Sequence, residues 1–220
     1  HYTGKGLLDQ FIGGKDTWLL GASWQMERPL NDHIRSVSFR QNGVHTLGEK
    51  IVDTTISNIS SYHYGGPQFQ YSNGRYYLST EYYWITGERR DGYTVYDDYS
   101  AEGGSIYGQY FFNSDATVKI SSKKGKIGGV KCKAKFGCTA AKFMLESIDT
   151  RDGELNGLNG THGKAVHIGL NHYFNSNVRL MVDATRGVYL GGHNDFYSDG
   201  NRADRRHAMT SIQARLHAKF

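Results

Sequence analysis

The chain has 220 residues, among them 28 glycines, two prolines and 16 tyrosines, with a mean hydropathy of -0.60. That composition excludes disorder, and no run of about 18 apolar residues exists to form a transmembrane helix. Of the formal charge of +5, residues 113–137 alone hold seven lysines against one aspartate, so the rest is near neutral and a nucleic-acid footprint is excluded in favour of one Lys-rich connection.

In chain order, the first clear period of two lies at 17–28, TWLLGASWQMER. Trp18, Leu20, Ala22, Trp24 and Met26 share one face, and Ser23, Gln25 and Glu27 the other. After the turn residues RPLND a strand is read at about 33–41, with Arg40 on its polar parity. A strand at about 59–72 runs into Asn73-Gly74, the strongest short hairpin signal. RYYLSTEYYW (75–84) sets Tyr76, Leu78, Thr80, Tyr82 and Trp84 against Tyr77, Ser79, Glu81 and Tyr83. SIYGQYFF (105–112) separates Ile106, Gly108, Tyr110 and Phe112 from Tyr107, Gln109 and Phe111.

Within the Lys-rich connection, Cys132 and Cys138 lack the second pair of a structural zinc site and the C-x-x-C-H of haem attachment. A local disulfide and two free thiols both stay open. No metal or cofactor is expected. The strand at 138–149 carries Lys142 and Glu146 on one parity. KAVHIGLNHYF (164–174) divides Val166, Ile168, Leu170 and His172 from His167, Gly169, Asn171 and Tyr173. Past the Asn175-Ser176-Asn177 turn, VRLMVDA opposes Val178, Leu180, Val182 and Ala184 to Arg179, Met181 and Asp183. The terminal SIQARLHAKF alternates Ile212, Ala214, Leu216, Ala218 and Phe220 with Ser211, Gln213, Arg215, His217 and Lys219.

Each segment alone fits an ordinary half-buried strand of a soluble sandwich. The set says more. About nine strands alternate short turns with long polar loops at about 42–58, 88–104, 150–163 and 187–207. Short turns at one end and long loops at the other are the layout of an antiparallel transmembrane β-barrel. Residues 1–220 read as a single all-β barrel domain, or the C-terminal part of one, with 113–137 on the periplasmic side.

HIGLNHYFNSNVRLMVDATRG and SIQARLHAKF resemble the last three strands of the phosphate-selective porin O/P family. LLGASW, SFRQNGVHTLGEKIVDT, SIYGQYFF and KIGGVKCKAKFG resemble further stretches of the same family, with Cys132 where the family pattern has Pro. The resemblance implies a sixteen-stranded barrel, a homotrimer embedded in the lipid of a Gram-negative outer membrane, and passive passage of phosphate or other small anions without enzymatic activity. Only the C-terminal part of such a barrel is visible, so about seven further strands are expected before His1 or from a second chain.

On these parities the lumen is lined by Arg40, Lys142, Arg179, Arg215 and Lys219, and by Glu27, Glu81, Glu146 and Asp183, with Asn171 among them. Five cations face four anions, and bulk balance does not set selectivity; rings or rows of like charge do. Arg179 and Arg215, on neighbouring strands, form either a basic strip or two pairs neutralised by Asp183 and a loop acid. Two rival classes stand beside the porin: a scaffold barrel around a partner protein, and an outer-membrane hydrolase, for which His172 with Ser176 is the best pair on offer.

Overall fold

Alternating sequence dictates extended backbone, and in a computed structural model of the chain the described residues form strands and turns without a helix. The described residues are 2–13, 16–27, 35–42, 50–89, 99–113, 116–121, 126–150, 162–190 and 206–218. Twelve strands follow one another: β1 (Tyr2–Gly13), β2 (Asp16–Glu27), β3 (Arg35–Asn42), β4 (Lys50–Ser72), β5 (Tyr76–Arg89), β6 (Tyr99–Phe111), β7 (Ala116–Ser121), β8 (Lys126–Cys132), β9 (Cys138–Asp149), β10 (His162–Tyr173), β11 (Val178–Leu190) and β12 (Arg206–Ala218). Ten of them make one antiparallel sheet in the order β1-β2-β4-β5-β6-β9-β10-β11-β12, with β3 beside β4, and the sheet stays open between β1 and β12.

Three expectations change. β4 is 23 residues long and begins at Lys50, so most of the loop read at 42–58 is strand. RPLND lies outside the described residues, and the strands on either side of it, β2 and β3, do not pair with each other. Ile59 pairs with Arg35 of β3 on one side and Arg89 of β5 on the other, while β2 and β5 flank the second half of β4. β2 and β3 therefore lie along the same edge of β4 and run the same way. Turn residues mark where a ladder is disfavoured, and reversal is only one result of that. Finally, β1 precedes the first strand read at 17–28, and β7 and β8 lie within the Lys-rich connection.

Where a hairpin was expected at Asn73-Gly74, it forms. The Tyr76 amide donates to Asn73 Oδ1 at 2.9 Å, and Gly74 has φ +90°, which glycine adopts at no steric cost.

The two faces are inverted relative to a soluble protein. Outward side chains are apolar and open: Ile168 is 58% exposed, Leu170 50% and Leu216 66%. Polar side chains on the other parity are buried: Asn171 is 3% exposed, Thr185 2% and Gln109 5%. Exposed apolar faces of this extent mark a surface meant for a non-aqueous partner. In hydrocarbon the backbone must be satisfied within the sheet, which antiparallel ladders do. Of the side chains expected outside, Ile168, Leu170, Leu180, Val182 and Leu216 are exposed; of those expected inside, Asn171 is buried, Arg179 half-buried and Arg215 exposed; Lys219 and Phe220 lie outside the described residues.

The Lys-rich connection is not a plain loop. β7 and β8 form a hairpin whose Ala116, Val118 and Ile120 are buried against Leu19, Tyr77, Phe111, Ala140 and Tyr173 of the polar-parity face. The Val118 amide donates to the Gly74 carbonyl at 2.8 Å, and Ser72 Oγ donates to the Val118 carbonyl at 2.7 Å. These bonds fix the hairpin at the short-turn end. Burying Val118 and Ile120 contributes roughly 1.5–3 kcal/mol each. Cys132 and Cys138 form a disulfide that ties the last residue of β8 to the first of β9.

Candidate functional site

The buried face of β9, β10 and β11 carries its polar groups in rows set by register. Lys142, Gly169 and Asp183 are direct cross-strand neighbours. Lys142 Nζ reaches over β10 to Asp183 Oδ1 at 2.6 Å, with the two side chains 17% and 15% exposed. Gly169 makes this possible: a Cβ there would stand 2.2 Å from Asp183 Oδ1 and 2.4 Å from the Val182 carbonyl oxygen. One row toward the long loops, His167 sits between two partners. Its Nε2 is 2.7 Å from Glu146 Oε2, and its Nδ1 is 2.8 Å from Thr185 Oγ1. Farther along, His162 Nδ1 lies 3.1 Å from Asp149 Oδ2.

Toward the short turns the wall changes character. Tyr107 Oη donates to Gln109 Oε1 at 3.0 Å, and Gln109 Nε2 donates to Tyr173 Oη at 3.1 Å. Asn171 Nδ2 approaches the same phenol at 3.5 Å. Arg179 follows on the neighbouring strand, with its buried Nε unpartnered among the described residues. Between this wall, the 175–177 turn and Val130 of the hairpin lies a cavity of about 350 Å³.

Three of the nine charges expected in the lumen are matched in side-chain pairs. Lys142 takes Asp183, and Glu146 takes His167. Glu81 is exposed and accepts from Ser105 Oγ at 3.3 Å. Arg215 stands opposite Met181, one row from Arg179, which pairs in register with His217. Arg40 is in register with Asp53 on β4, and Glu27 with Tyr62. His172 and Ser176 find other partners: His172 Nδ1 meets Thr139 Oγ1 at 2.9 Å, and Ser176 Oγ donates to Asn177 Oδ1 at 3.3 Å.

Sequence reasoning missed the roles of Tyr107, Gln109, Tyr173, His167 and Thr185. One signal was present: aromatic residues at 77, 107, 111 and 173 on the polar parity are too apolar for a wet wall unless something packs on them. The hairpin is what packs there.

A family model described as phosphate-selective porin O and P matches residues 51–217. No curated protein matches this chain. Among solved structures, the chain is similar to the outer-membrane expressed OmpT of Vibrio cholerae. Identity is 13% and the TM-score 0.42, over 94% of this chain and 53% of that one. The chain thus spans about half the length of that protein.

Proposed function

We propose that this chain, which belongs to the phosphate-selective porin O and P family, forms part of the wall of a passive pore in the outer membrane of a Gram-negative bacterium. The whole protein carries small hydrophilic solutes down their gradients, with a preference for anions such as phosphate. It assembles as a homotrimer, and further strands of the protein close the wall. It performs no chemistry on its solutes.

The observation that supports this best is the inversion of faces. Apolar side chains such as Ile168, Leu170 and Leu216 are exposed while Asn171, Thr185 and Gln109 are buried. Such a sheet is stable only with lipid on one side and water or polar solute on the other. Within the polar face, pairing of Lys142 with Asp183 and of Glu146 with His167 leaves the short-turn end, with Arg179 and the exposed Lys131, Lys133 and Lys135, as the positive stretch. A passing anion meets its favourable field there, beside the hairpin that narrows the same end.

Reversal potentials of the full-length protein in planar bilayers, measured across a salt gradient, test the reading. A potential displaced toward the anion's equilibrium value is expected. A cation preference refutes the phosphate assignment, and the absence of any channel refutes the porin.

A further inference from the structure

The cavity beside the hairpin has a chemistry that inorganic phosphate does not match. Its volume of about 350 Å³ is at the small end of the range for small-molecule sites. Arg179 and His217, cross-strand partners, form one side. Tyr107, Gln109 and Tyr173 form another, and Val130 of β8 closes the cavity from the hairpin. No carboxylate lines it among the described residues.

Several buried polar groups around the cavity keep unused hydrogen-bonding capacity. Tyr173 Oη accepts from Gln109 and, more distantly, from Asn171, so both of its lone pairs are engaged. Its own proton finds no acceptor among the described residues. Arg179 Nε–H is buried and likewise unpartnered there. Asn171 Oδ1 is a buried acceptor in the same state, and buried groups left this way call for partners on a bound molecule. Two donors beside an imidazole suit one planar anionic head, and a guanidinium binds a carboxylate in a matching plane. The remaining surface is the phenol rings, Val130 and Val178, with the polar turn residues Asn175, Ser176 and Asn177 at one margin, and the rings and valines suit a flat carbon ring. A phosphate dianion would use the donors but not the rings and valines, and it costs more to dehydrate than a monocarboxylate.

We infer that this cavity binds a small monocarboxylate bearing a planar ring, its head on Arg179 and Tyr173 and its ring against Tyr107 and Val130. This rests on the pore reading above and gives that pore a retained solute class, while smaller anions pass unheld.

Calorimetry on the full-length protein in detergent tests it with sodium benzoate as the probe. Saturable binding at one site per chain is expected. Acetate, which has the head without the ring, benzyl alcohol, which has the ring without the head, and inorganic phosphate should each bind at least about tenfold more weakly. Arg179→Gln should weaken benzoate about tenfold or more, since a buried charge-assisted bond is lost. Tyr173→Phe, which removes one oxygen and keeps the ring, should weaken it several-fold and guards against a folding defect in the first variant. No saturable benzoate binding, phosphate binding as tight as benzoate, or affinity unchanged in both variants overturns the proposal. Conduction is read separately in bilayers. Chloride current without benzoate binding removes the cavity's role alone, and benzoate binding without current removes the pore reading alone.

Discussion

Gly169→Ala tests the row of Lys142, Gly169 and Asp183 most directly. The added methyl would lie 2.2 Å from Asp183 Oδ1 and 2.4 Å from the Val182 carbonyl oxygen, both inside van der Waals contact. The carboxylate can swing away, and that breaks its 2.6 Å pair with Lys142. The Val182 oxygen is backbone and moves only if the β10–β11 ladder shifts. Overpacking of this kind costs about 1–3 kcal/mol. An exposed ion pair contributes ~0–1 kcal/mol and removing one partner of a buried pair costs ~3–5 kcal/mol. At 17% and 15% exposure the pair falls between, so about 1–2 kcal/mol is lost with it. Together Gly169→Ala should cost about 3 kcal/mol. Equilibrium urea unfolding in lipid vesicles measures this. In an Asp183→Ala background the same glycine change should cost only about 1 kcal/mol, because the side-chain clash and the pair are both already gone. Lys142, freed in either variant, should move the reversal potential toward anions. Gly169→Ala within about 0.5 kcal/mol of the unaltered protein, or an equal cost in both backgrounds, refutes the packing role assigned to this glycine.

On the exposed face, Leu170→Arg should cost about 2–4 kcal/mol in vesicles if that residue meets the bilayer midplane, and little if it meets water; the same unfolding assay decides. Cys132→Ser with Cys138→Ser should loosen the hairpin by about 2 kcal/mol in the chain-entropy model for a short loop. Single-channel records should then become noisier and more conductive, and an unchanged record argues against the hairpin as a constriction. Replacing Lys131, Lys133 and Lys135 together by Gln should lower anion conductance at low salt and matter little at high salt, because screening lengths fall from ~30 Å at 0.01 M to ~3 Å at 1 M. Equal effects at both salts would mean that these lysines act structurally.

The faces of β5, β6 and β9 to β12 were legible in the sequence. Period-two alternation is a local property, and each residue's side of the strand follows from its neighbours alone. The Asn73-Gly74 turn was legible for the same reason, since left-handed backbone and glycine go together. β7 was hidden because its alternation, Ala116, Val118 and Ile120 against Thr117, Lys119 and Ser121, runs for only six residues inside a lysine-rich stretch. Pairing was not local. That β2 and β3 share one edge of β4 is decided by which ladders close, and turn residues at 28–32 do not say whether the chain reverses. Parity placed Lys142, Glu146, His167 and Asp183 on one face, but only the register across three strands set Lys142 against Asp183 and Glu146 against His167. A slip of two residues would keep every face and change every partner, so a chain that dictates its faces still leaves its ion pairs, and the cavity beside Arg179, to the assembled sheet and the hairpin packed on it.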